Sequence, residues 1–377
     1  MKPAAYLPLL LALLPLAAAA QTAPAPTRDS LALPDPLSYY GFVDAYYGYD
    51  FRADNGQERP GFLYSHDRQN EFTVNQALIG VRYDDDRVRG ALGLHAGSYV
   101  VANYAAEEPV FRHIYEAYAG FRPFEKAWLD VGIFGSHIGF ESAISKDNWT
   151  LTRSLMAENS PYYEAGARLT YELGPTPYTY QTGSRLTLTA LVLNGWQNIR
   201  ETNQAKALGT QIQWRPNAKV LVNSSTFYGN EQPPGETRRR RYFHDFYLTY
   251  AATDRLSLAL VFDVGKQQSE TRARADTWHA GAALLRYKLA DGLGAILRAE
   301  YYSAERGVII NSIRPRGGAA DFRVAGGSLG LDYQPGRNVL VRLESRTLYG
   351  ASGIFRRRSG ADPGRYGNLT ASVALSF

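Results

Sequence analysis

Histidine is the residue type that most often serves catalysis or metal binding, and this chain of 377 residues contains six histidines and no cysteine. No pair among His66, His95, His113, His137, His244 and His279 has the H-x-x-x-H or H-E-x-x-H spacing of a metal site. Ser136 and His137 are adjacent, and neighbouring residues of a strand point to opposite faces. The acidic run 84–86 fits a short turn without any ion. The sequence therefore predicts neither an enzyme nor a cofactor.

A second group of chemically active residues carries charge. The segment 139–160, GFESAISKDNWTLTRSLMAENS, mixes acidic and basic side chains within one long break between apolar stretches. Opposite charges that face each other across a narrow aqueous passage orient and select solutes without making bonds. The candidates for such a constriction are Glu141, Lys146, Asp147, Arg153 and Glu158 in the segment, and Arg89, Arg342, Glu344 and Arg346 in the apolar stretches.

Two arginine runs account for much of the net charge of +5. They are Arg238-Arg239-Arg240-Arg241 and Arg356-Arg357-Arg358, which lie at the breaks 230–240 and 351–365 between apolar stretches. One interpretation is a funnel that draws phosphate or acidic sugars toward an opening. The other, which fits basic runs more generally, is contact with lipopolysaccharide phosphates and solvent.

The N-terminus has the pattern of an export signal. Lys2 precedes an apolar core, and Ala18-Ala19-Ala20 supplies an A-x-A cleavage site before Gln21. The apolar stretch runs only from Leu7 to Ala20, whereas a spanning helix needs about 20 residues. The sequence thus predicts a signal peptide over 1–20 rather than an uncleaved anchor, followed by a Pro/Ala-rich periplasmic leader over 21–37. Export would take the chain out of the cytoplasm, so nucleic-acid binding is not expected.

From Ser38 onward, strand-length stretches rich in Tyr, Val, Leu, Ala and Gly repeat to the C-terminus. A tilted strand crosses a membrane with about 9–11 residues, so each stretch is long enough. The predicted strands are 38–50, 70–83, 87–103, 112–122, 126–138, 161–173, 184–199, 205–215, 218–229, 241–252, 255–266, 276–290, 293–304, 321–334, 338–350 and 366–377.

The breaks between these stretches alternate in length. Short turns such as DDD (84–86), PN (216–217) and DG (291–292) alternate with long loops such as 139–160, although 174–183 is a longer break on the short side. Short periplasmic turns and long extracellular loops are typical of bacterial barrels. The sequence therefore predicts an all-β, transmembrane, antiparallel up-and-down barrel of about sixteen strands over 38–377. The alternative is a soluble all-β protein such as a propeller.

Alternation within the stretches supports the barrel. In 366–377, Leu369, Ala371, Val373, Leu375 and Phe377 alternate with polar residues, and in 255–266 leucines alternate in the same way. A charge facing lipid at mid-membrane costs about 2–4 kcal/mol, so mid-strand charges such as those of 338–350 are expected to face the lumen. The terminal aromatic Phe377 resembles the signal that the outer-membrane barrel assembly machinery recognises.

Several segments resemble the putative β-barrel porin-2 family, also called OmpL-like. They include PGFLYSHDRQNEFTVNQALIG (60–80), IYEAYAGFRP (114–123), WLDVGIFGSHIGFESAISKDNWTLTRSLMAENSPYYEAGARLTYE (128–172), LNGWQN (193–198), NSSTFYGNE (223–231) and RYFHDFYLTY (241–250). The resemblance implies a transmembrane barrel and a channel. It supplies no substrate and no functional residues.

A barrel of sixteen strands is wide enough to enclose a water-filled lumen. By analogy with general porins of that size, segment 139–160 is expected to fold into the lumen; the alternative is a loop packed on top with solvated charges. Four tyrosine pairs, at 39–40, 46–47, 162–163 and 301–302, are interpreted as interfacial girdles rather than sugar-stacking platforms.

The expected function is that of an outer-membrane porin of a Gram-negative bacterium, passing small hydrophilic solutes by passive diffusion. Two alternatives remain: a channel selective for anions or oligosaccharides, and a non-transporting barrel that acts as an adhesin or structural element. The expected partners are the lipid bilayer, lipopolysaccharide, the assembly machinery and small solutes. A homotrimer is one candidate oligomer, because porins of this size are often trimers.

Overall fold

The computed structural model describes residues 36–51, 58–174, 185–270, 273–310, 320–351, 354–355 and 364–377. The predicted signal peptide and all but the last two residues of the predicted leader lie outside this set. Sixteen strands form: β1 Leu37–Asp50, β2 Phe72–Asp84, β3 Val88–Ala96, β4 Ile114–Phe121, β5 Ala127–Gly135, β6 Tyr163–Leu173, β7 Arg185–Leu193, β8 Ala207–Asn217, β9 Val220–Asn230, β10 Arg240–Ala251, β11 Leu256–Gln267, β12 Asp276–Ala290, β13 Leu293–Ala304, β14 Phe322–Gly336, β15 Val339–Gly350 and β16 Arg365–Ser376.

The strands form a closed antiparallel barrel in which each strand pairs with its neighbours in the sequence. β1 pairs with β16 and closes the ring. At this seam the backbones of Gly41 and Phe377 exchange two hydrogen bonds of 2.8 and 3.1 Å. A Cβ atom on residue 41 would lie 2.2 Å from the Phe377 ring, so only glycine lets this ring cover the seam. The predicted all-β barrel is confirmed.

Alternation along the strands sorts the side chains as expected. In β11, Leu258, Leu260 and Phe262 are exposed on the outer surface, whereas Ala259 and Val261 are buried inside. The same period of two places the charges of β15 inside and Val341 and Leu343 outside. An apolar outer face matches the surrounding lipid. Closure of the ring leaves no strand edge with unpaired backbone N–H and C=O groups.

Three strand predictions run past the observed ends: 126–138 stops at Gly135, 184–199 stops at Leu193, and 87–103 shows the largest error. The stretch 87–103 forms strand β3 only to Ala96, and Ser98–Asn103 form a short helix, α1. Gly97 separates the two with φ of 135°, a conformation that favours glycine, and its Cα lies so close to β2 that a Cβ would meet the Asn75 carbonyl oxygen at 2.3 Å. In the part of the chain that the structure describes, no helix is both long and apolar enough to cross a membrane.

The two tyrosines of a pair do not both lie in the interfacial girdles. Strand alternation places Tyr301 outside with 41% exposure and Tyr302 inside with 2%. Tyr39 and Tyr40 divide in the same way, and Tyr162 and Tyr163 are both buried. The girdle interpretation therefore applies only to the outward member of a pair.

The extracellular half of the interior is a hydrophobic core. Side chains from inner strand faces, such as Leu193, Trp278 and Tyr302, pack with Phe62 and Leu155 from two extracellular loops. This differs from the expected water-filled lumen without a packed interior. The difference arises because long loops with apolar residues fold inward and bury them, which is more favourable than leaving them in water.

Candidate functional site

Segment 139–160, called here the inner segment, crosses the interior of the barrel. It leaves β5 and returns to β6, yet its residues contact β1, β13, β15 and β16. In the ring of sixteen strands β13 lies eight positions from β5 (13 − 5 = 8), which is the diametrically opposite wall. The inner segment includes a single 3-10 turn, Ser145–Asp147, and a short helix α2, Leu155–Glu158.

Arg342 of β15 anchors the first part of the inner segment. Its guanidinium donates to the carbonyl oxygens of Ser145 at 2.8 Å and Trp149 at 2.6 Å, and it pairs with Asp332 at 2.8 Å. An irregular backbone crossing the lumen has carbonyl and amide groups with no partners of its own. The wall arginine supplies donors for these carbonyls.

Glu344 and Arg298 anchor the middle of the inner segment. Both carboxylate oxygens of Glu344 accept hydrogen bonds from Thr152, from its backbone N–H and its Oγ1, each at 2.7 Å. Arg298 of β13 donates to the Thr152 carbonyl and to Thr150 Oγ1, and it pairs with Glu344 at 3.0 Å. The wall therefore holds Thr152 with both an acceptor and a donor.

Glu300 and Arg346 anchor helix α2. Glu300 of β13 accepts a hydrogen bond of 2.7 Å from the backbone N–H of Leu155 and pairs with Arg346 of β15 at 2.8 Å. Glu141 lies on the other side of this network, with its carboxylate bonded to the N–H and hydroxyl groups of Ser154. Alternating charges on β13 and β15 thus form one buried lattice under the inner segment.

Arg153 and Glu158 tie the inner segment to the loop 58–71. Arg153 donates to Ser65 Oγ and to the Ala143 carbonyl, and its guanidinium lies 4.7 Å from the centre of the Tyr99 ring. Glu158 accepts from the backbone N–H groups of Tyr64 and Ser65 at 2.9 and 3.2 Å. Two extracellular loops therefore close over the barrel as one unit.

The structure divides the predicted constriction residues into two classes. Arg342, Glu344 and Arg346 lie on the wall beside the inner segment, but they are only 1–2% exposed, and Glu158 and Arg153 are 2% and 0% exposed. Glu141 is also buried. Within the inner segment, only Lys146 and Asp147 present charge to solvent, and the Lys146 ammonium reaches Ser376 Oγ at 2.8 Å, at the periplasmic end of β16.

Glu158 gives the closed loops a dependence on pH. Burial raises the pKa of this carboxyl from 4.5 to about 7, although Arg153 and Arg346 lower it in part. A carboxyl with a raised pKa binds its proton more tightly in the closed state than when it is solvated. The closed arrangement is therefore favoured at acidic pH and weakens as the pH rises from 4.5 through about 7.

Replacing Glu158 with glutamine is expected to weaken this dependence, because the amide oxygen still accepts from Tyr64 and Ser65 and carries no charge at any pH. In planar bilayers, the conductance of the native protein should increase from about pH 5 to about pH 8, and that of E158Q should increase less. E236Q, which changes an exposed carboxyl, should behave like the native protein. A pH response of E158Q equal to that of the native protein would contradict the assignment.

Arg89 does not meet the inner segment. It lies on β3 toward the periplasmic end and pairs with Asp130 of β5 at 2.6 Å, and Arg168 of β6 pairs with the same carboxylate at 2.9 Å. The two arginine side chains are 23% and 22% exposed, while Asp130 is fully buried behind them. This trio presents a net positive charge to the periplasmic part of the lumen.

The first arginine run is divided by strand alternation. Arg241 points inward, over the Trp196 ring at 5.1 Å, and bonds to Gln267. Arg239 bonds to Gln232 and lies 3.6 Å from Glu270. Arg238 and Arg240 are exposed. The second run, Arg356, Arg357 and Arg358, lies outside the described residues.

The prediction that Ser136 and His137 point to opposite faces of a strand is wrong. Both residues follow the end of β5 and share one partner, because Ser136 Oγ and His137 Nδ1 each lie 2.9 Å from Glu164. His137 Nε2 is 2.9 Å from the Thr226 carbonyl oxygen, so both ring nitrogens contact acceptors other than the serine. The arrangement ties the start of the inner segment to β6 and β9 and does not form a nucleophile with its base.

Sequence reasoning missed several residues that hold the inner segment. Arg298 and Glu300 carry most of its contacts with β13, and Asp44 of β1 accepts a hydrogen bond of 2.7 Å from Ser145. The sequence does contain a pattern that indicates Arg298 and Glu300. In 293–304 these two charges alternate with Leu297, Ala299 and Tyr301, as the charges of β15 alternate with apolar residues. Asp130 and Arg168 could have been found by the same criterion.

A closed barrel of sixteen antiparallel strands, with an extracellular loop folded inside it, has the architecture of outer-membrane porins. The family comparison agrees with this class. The chain belongs to the family described as "Putative beta-barrel porin-2, OmpL-like", whose model matches residues 36–377. The resemblance seen in the sequence is thereby confirmed, as is the outer membrane as the location of the barrel.

Solved porin structures show the same fold at low sequence identity. OmpF of Salmonella typhi in complex with daunomycin has a TM-score of 0.61 and 13% identity, covering 92% of this chain and 99% of that one. An in-vitro folded OmpT of Vibrio cholerae, in its trimer form, has a TM-score of 0.58 and 10% identity, covering 90% and 99%. An anion-selective porin from Comamonas acidovorans has a TM-score of 0.57 and 8% identity, also covering 90% and 99%. No curated protein matches the chain.

Proposed function

We propose that the barrel is a porin through which small hydrophilic solutes diffuse passively, with a preference for anions. The observation that carries the proposal is the charge of the periplasmic part of the lumen. The trio of Arg89, Asp130 and Arg168 exposes its two guanidinium groups and hides its carboxylate. A wall with this arrangement attracts anions and repels cations.

Further arginines extend this positive wall. Arg215 of β8 and Arg286 of β12 are exposed. Each lies on the lumen-facing side of its strand, which also carries buried residues such as Gly209 and Leu284. Among the described residues, no carboxylate pairs with either of them. Arg82 of β2 is about half exposed, and its partner Glu116 is nearly buried. We call this periplasmic part of the lumen the vestibule. Its accessible charge is therefore mainly that of guanidinium groups.

The inner segment sets the resistance to flow. It crosses the full diameter, and its exposed edge carries Lys146 and Asp147 beside the positive vestibule. The buried charges of β13 and β15 position this edge and do not themselves meet solutes. Glu141, Arg153 and Glu158 belong to the same supporting group.

A second candidate is a non-transporting barrel. It is favoured by the hydrophobic core in the extracellular half, where Phe62, Leu155, Leu193 and Trp278 pack together. Single-channel recording separates these two functions from each other and from a channel selective for one solute. Stepwise conductance supports the porin, saturable block by one solute supports a selective channel, and a folded barrel without conductance supports the second candidate.

Replacing Arg215 and Arg286 with glutamine is expected to lower the permeability of chloride relative to potassium by about twofold or more, because two unpaired guanidinium charges leave the vestibule. The reversal potential in a KCl gradient measures this ratio. K266Q/R323Q removes the same charge from exposed, outward-facing positions of β11 and β14 and should leave the ratio unchanged. Equal shifts in both double variants would contradict an anion preference set by the vestibule.

Residues 1–20 would direct Sec export and be cleaved, and the assembly machinery would recognise Phe377 at the exposed end of β16. The trimer form recorded for OmpT of Vibrio cholerae supports a homotrimer for this chain. Cross-linking of the purified protein in detergent tests that oligomer.

A further inference from the structure

The outer surface of the barrel has a basic cleft at the extracellular ends of β8, β9 and β10. The cleft measures about 500 Å³ and is lined by Lys206, Tyr228, Asn230, Arg238, Arg240 and Gln268. Tyr228 and Arg240 belong to the outward parity of their strands, because their neighbours Phe227 and Arg241 are buried inside. The cleft therefore opens toward the membrane and away from the lumen.

The two arginines of this cleft are available for a ligand. Arg239 and Arg241 of the same run are engaged with Gln232 and Gln267, respectively. Within the described residues, by contrast, Arg238 and Arg240 form no ion pair. Lys206 also lines the cleft, but its ammonium contacts Glu201 and lies 3.0 Å from Asn194 Oδ1. The arginines thus supply the uncompensated positive charge, and guanidinium groups match phosphate oxygens well.

The cleft lies at the level of the lipid headgroups. Tyr228 and Tyr242 stand on the outer surface with ring centres 4.7 Å apart, and the Lys266 ammonium lies 5.0 Å above the Tyr242 ring. Outward tyrosines mark the level where acyl chains meet headgroups. Because the long loops are extracellular, this level belongs to the outer leaflet, whose glycolipid carries phosphates on its sugars.

A polar strip on the membrane-facing surface continues below the cleft. Ser224 Oγ lies 2.8 Å from His244 Nε2, and Thr210 Oγ1 lies 2.6 Å from Thr226 Oγ1. All four residues have outward parity, and polar groups facing acyl chains are unfavourable without partners. The four groups already pair with each other, and a glycolipid with amide and hydroxyl groups just below its phosphates would add further partners. The strip is an observation independent of the charge of the cleft.

We propose that the cleft is a binding site for a phosphate group of the outer-leaflet glycolipid, held by Arg238 and Arg240. The polar strip receives the amide and hydroxyl groups at the base of the acyl chains. The site faces lipid, and so it is separate from the passage for solutes and does not depend on the proposed function. A free phosphate ion would match the arginines but not the strip below them.

Native mass spectrometry of the full barrel in detergent tests the proposal with lipid A as the probe. The native protein should retain one bisphosphorylated lipid A, whereas dephosphorylated lipid A and inorganic phosphate should bind at least about tenfold more weakly. The double variant R238Q/R240Q should lose about tenfold in affinity for the bisphosphorylated form. R255Q/R337Q, which removes two exposed arginines from periplasmic turns, is the matched control and should bind like the native protein.

Three outcomes would overturn the proposal. The first is unchanged binding of lipid A by R238Q/R240Q. The second is equal binding of phosphorylated and dephosphorylated lipid A, which would show that the cleft does not recognise phosphate. The third is loss of an oligomer in R238Q/R240Q with lipid A binding intact, which would assign the cleft and strip to contact with a second copy of the chain. For each variant, a difference in gel migration between unheated and boiled samples shows that the barrel is folded.

Discussion

Replacing residues 142–157 with a short glycine–serine linker is expected to raise the single-channel conductance several-fold. These residues carry the inner segment from β5 to the opposite wall at β13 and β15. Their removal also takes away Leu155 and Met156, which help to fill the hydrophobic core of the extracellular half. Conductance scales with the open cross-section, and a sixteen-strand ring without this segment encloses a wide aqueous lumen.

The matched control shortens another extracellular loop. Residues 233–237, between β9 and β10, are exposed, and replacing them should leave the conductance unchanged. If removal of 142–157 produced no increase, the inner segment would not be the main restriction. If both shortened proteins folded and neither conducted, the non-transporting barrel would replace the porin as the function of the chain.

Much of the fold could be predicted from the sequence because a membrane barrel obeys simple local rules. The period of two, the turn residues and the strand length reproduced all sixteen strands, most of them within two residues at each end. The exceptions lie where loops begin. Residues 98–103 are apolar enough to read as strand, and only the conformation at Gly97, which depends on the neighbouring Asn75, shows that β3 has ended.

The candidate site was predicted in its parts and not in its arrangement. The position of segment 139–160 and the inward charges of β15 followed from pattern. Their burial did not, because it depends on contact between β15 and the segment that follows β5, a strand distant from β15 in the ring. Arg342 and Glu344 are spaced like groups that line a pore, yet they serve as donor and acceptor for the backbone of the segment that covers them. No local pattern distinguishes these two uses.

Replacing Arg298 with methionine is expected to release the inner segment while leaving the barrel folded. Arg298 lies among Glu344 at 3.0 Å, Glu300 at 3.5 Å and Glu141 at 3.9 Å, and none of these groups is more than 1% exposed. Removing one partner of a buried ion pair costs about 3–5 kcal/mol. The strand ladders do not pass through this residue's side chain, so the cost is expected to fall on the contacts with Thr150 and Thr152.

Hydrogen exchange and conductance measure this release separately. The amides of residues 150–155 should lose protection in R298M, and the conductance should rise toward that of the protein lacking 142–157. R323M breaks an exposed pair with Asp321 at 3.5 Å, which is worth less than about 1 kcal/mol, and should change neither quantity. Loss of the heat-modified gel band in R298M would instead show that the lattice supports the barrel itself.

A second substitution should partly reverse the effect. Glu344 also accepts two hydrogen bonds of 2.7 Å from Thr152, so glutamine at this position keeps an acceptor while removing the charge that Arg298 neutralised. R298M/E344Q is therefore expected to recover part of the lost protection, because the double variant no longer buries that uncompensated carboxylate. Additive losses in the two single variants would mean that the guanidinium acts mainly through its bonds to Thr150 and Thr152. Recovery would show that the charge balance between β13 and β15 keeps the inner segment in place.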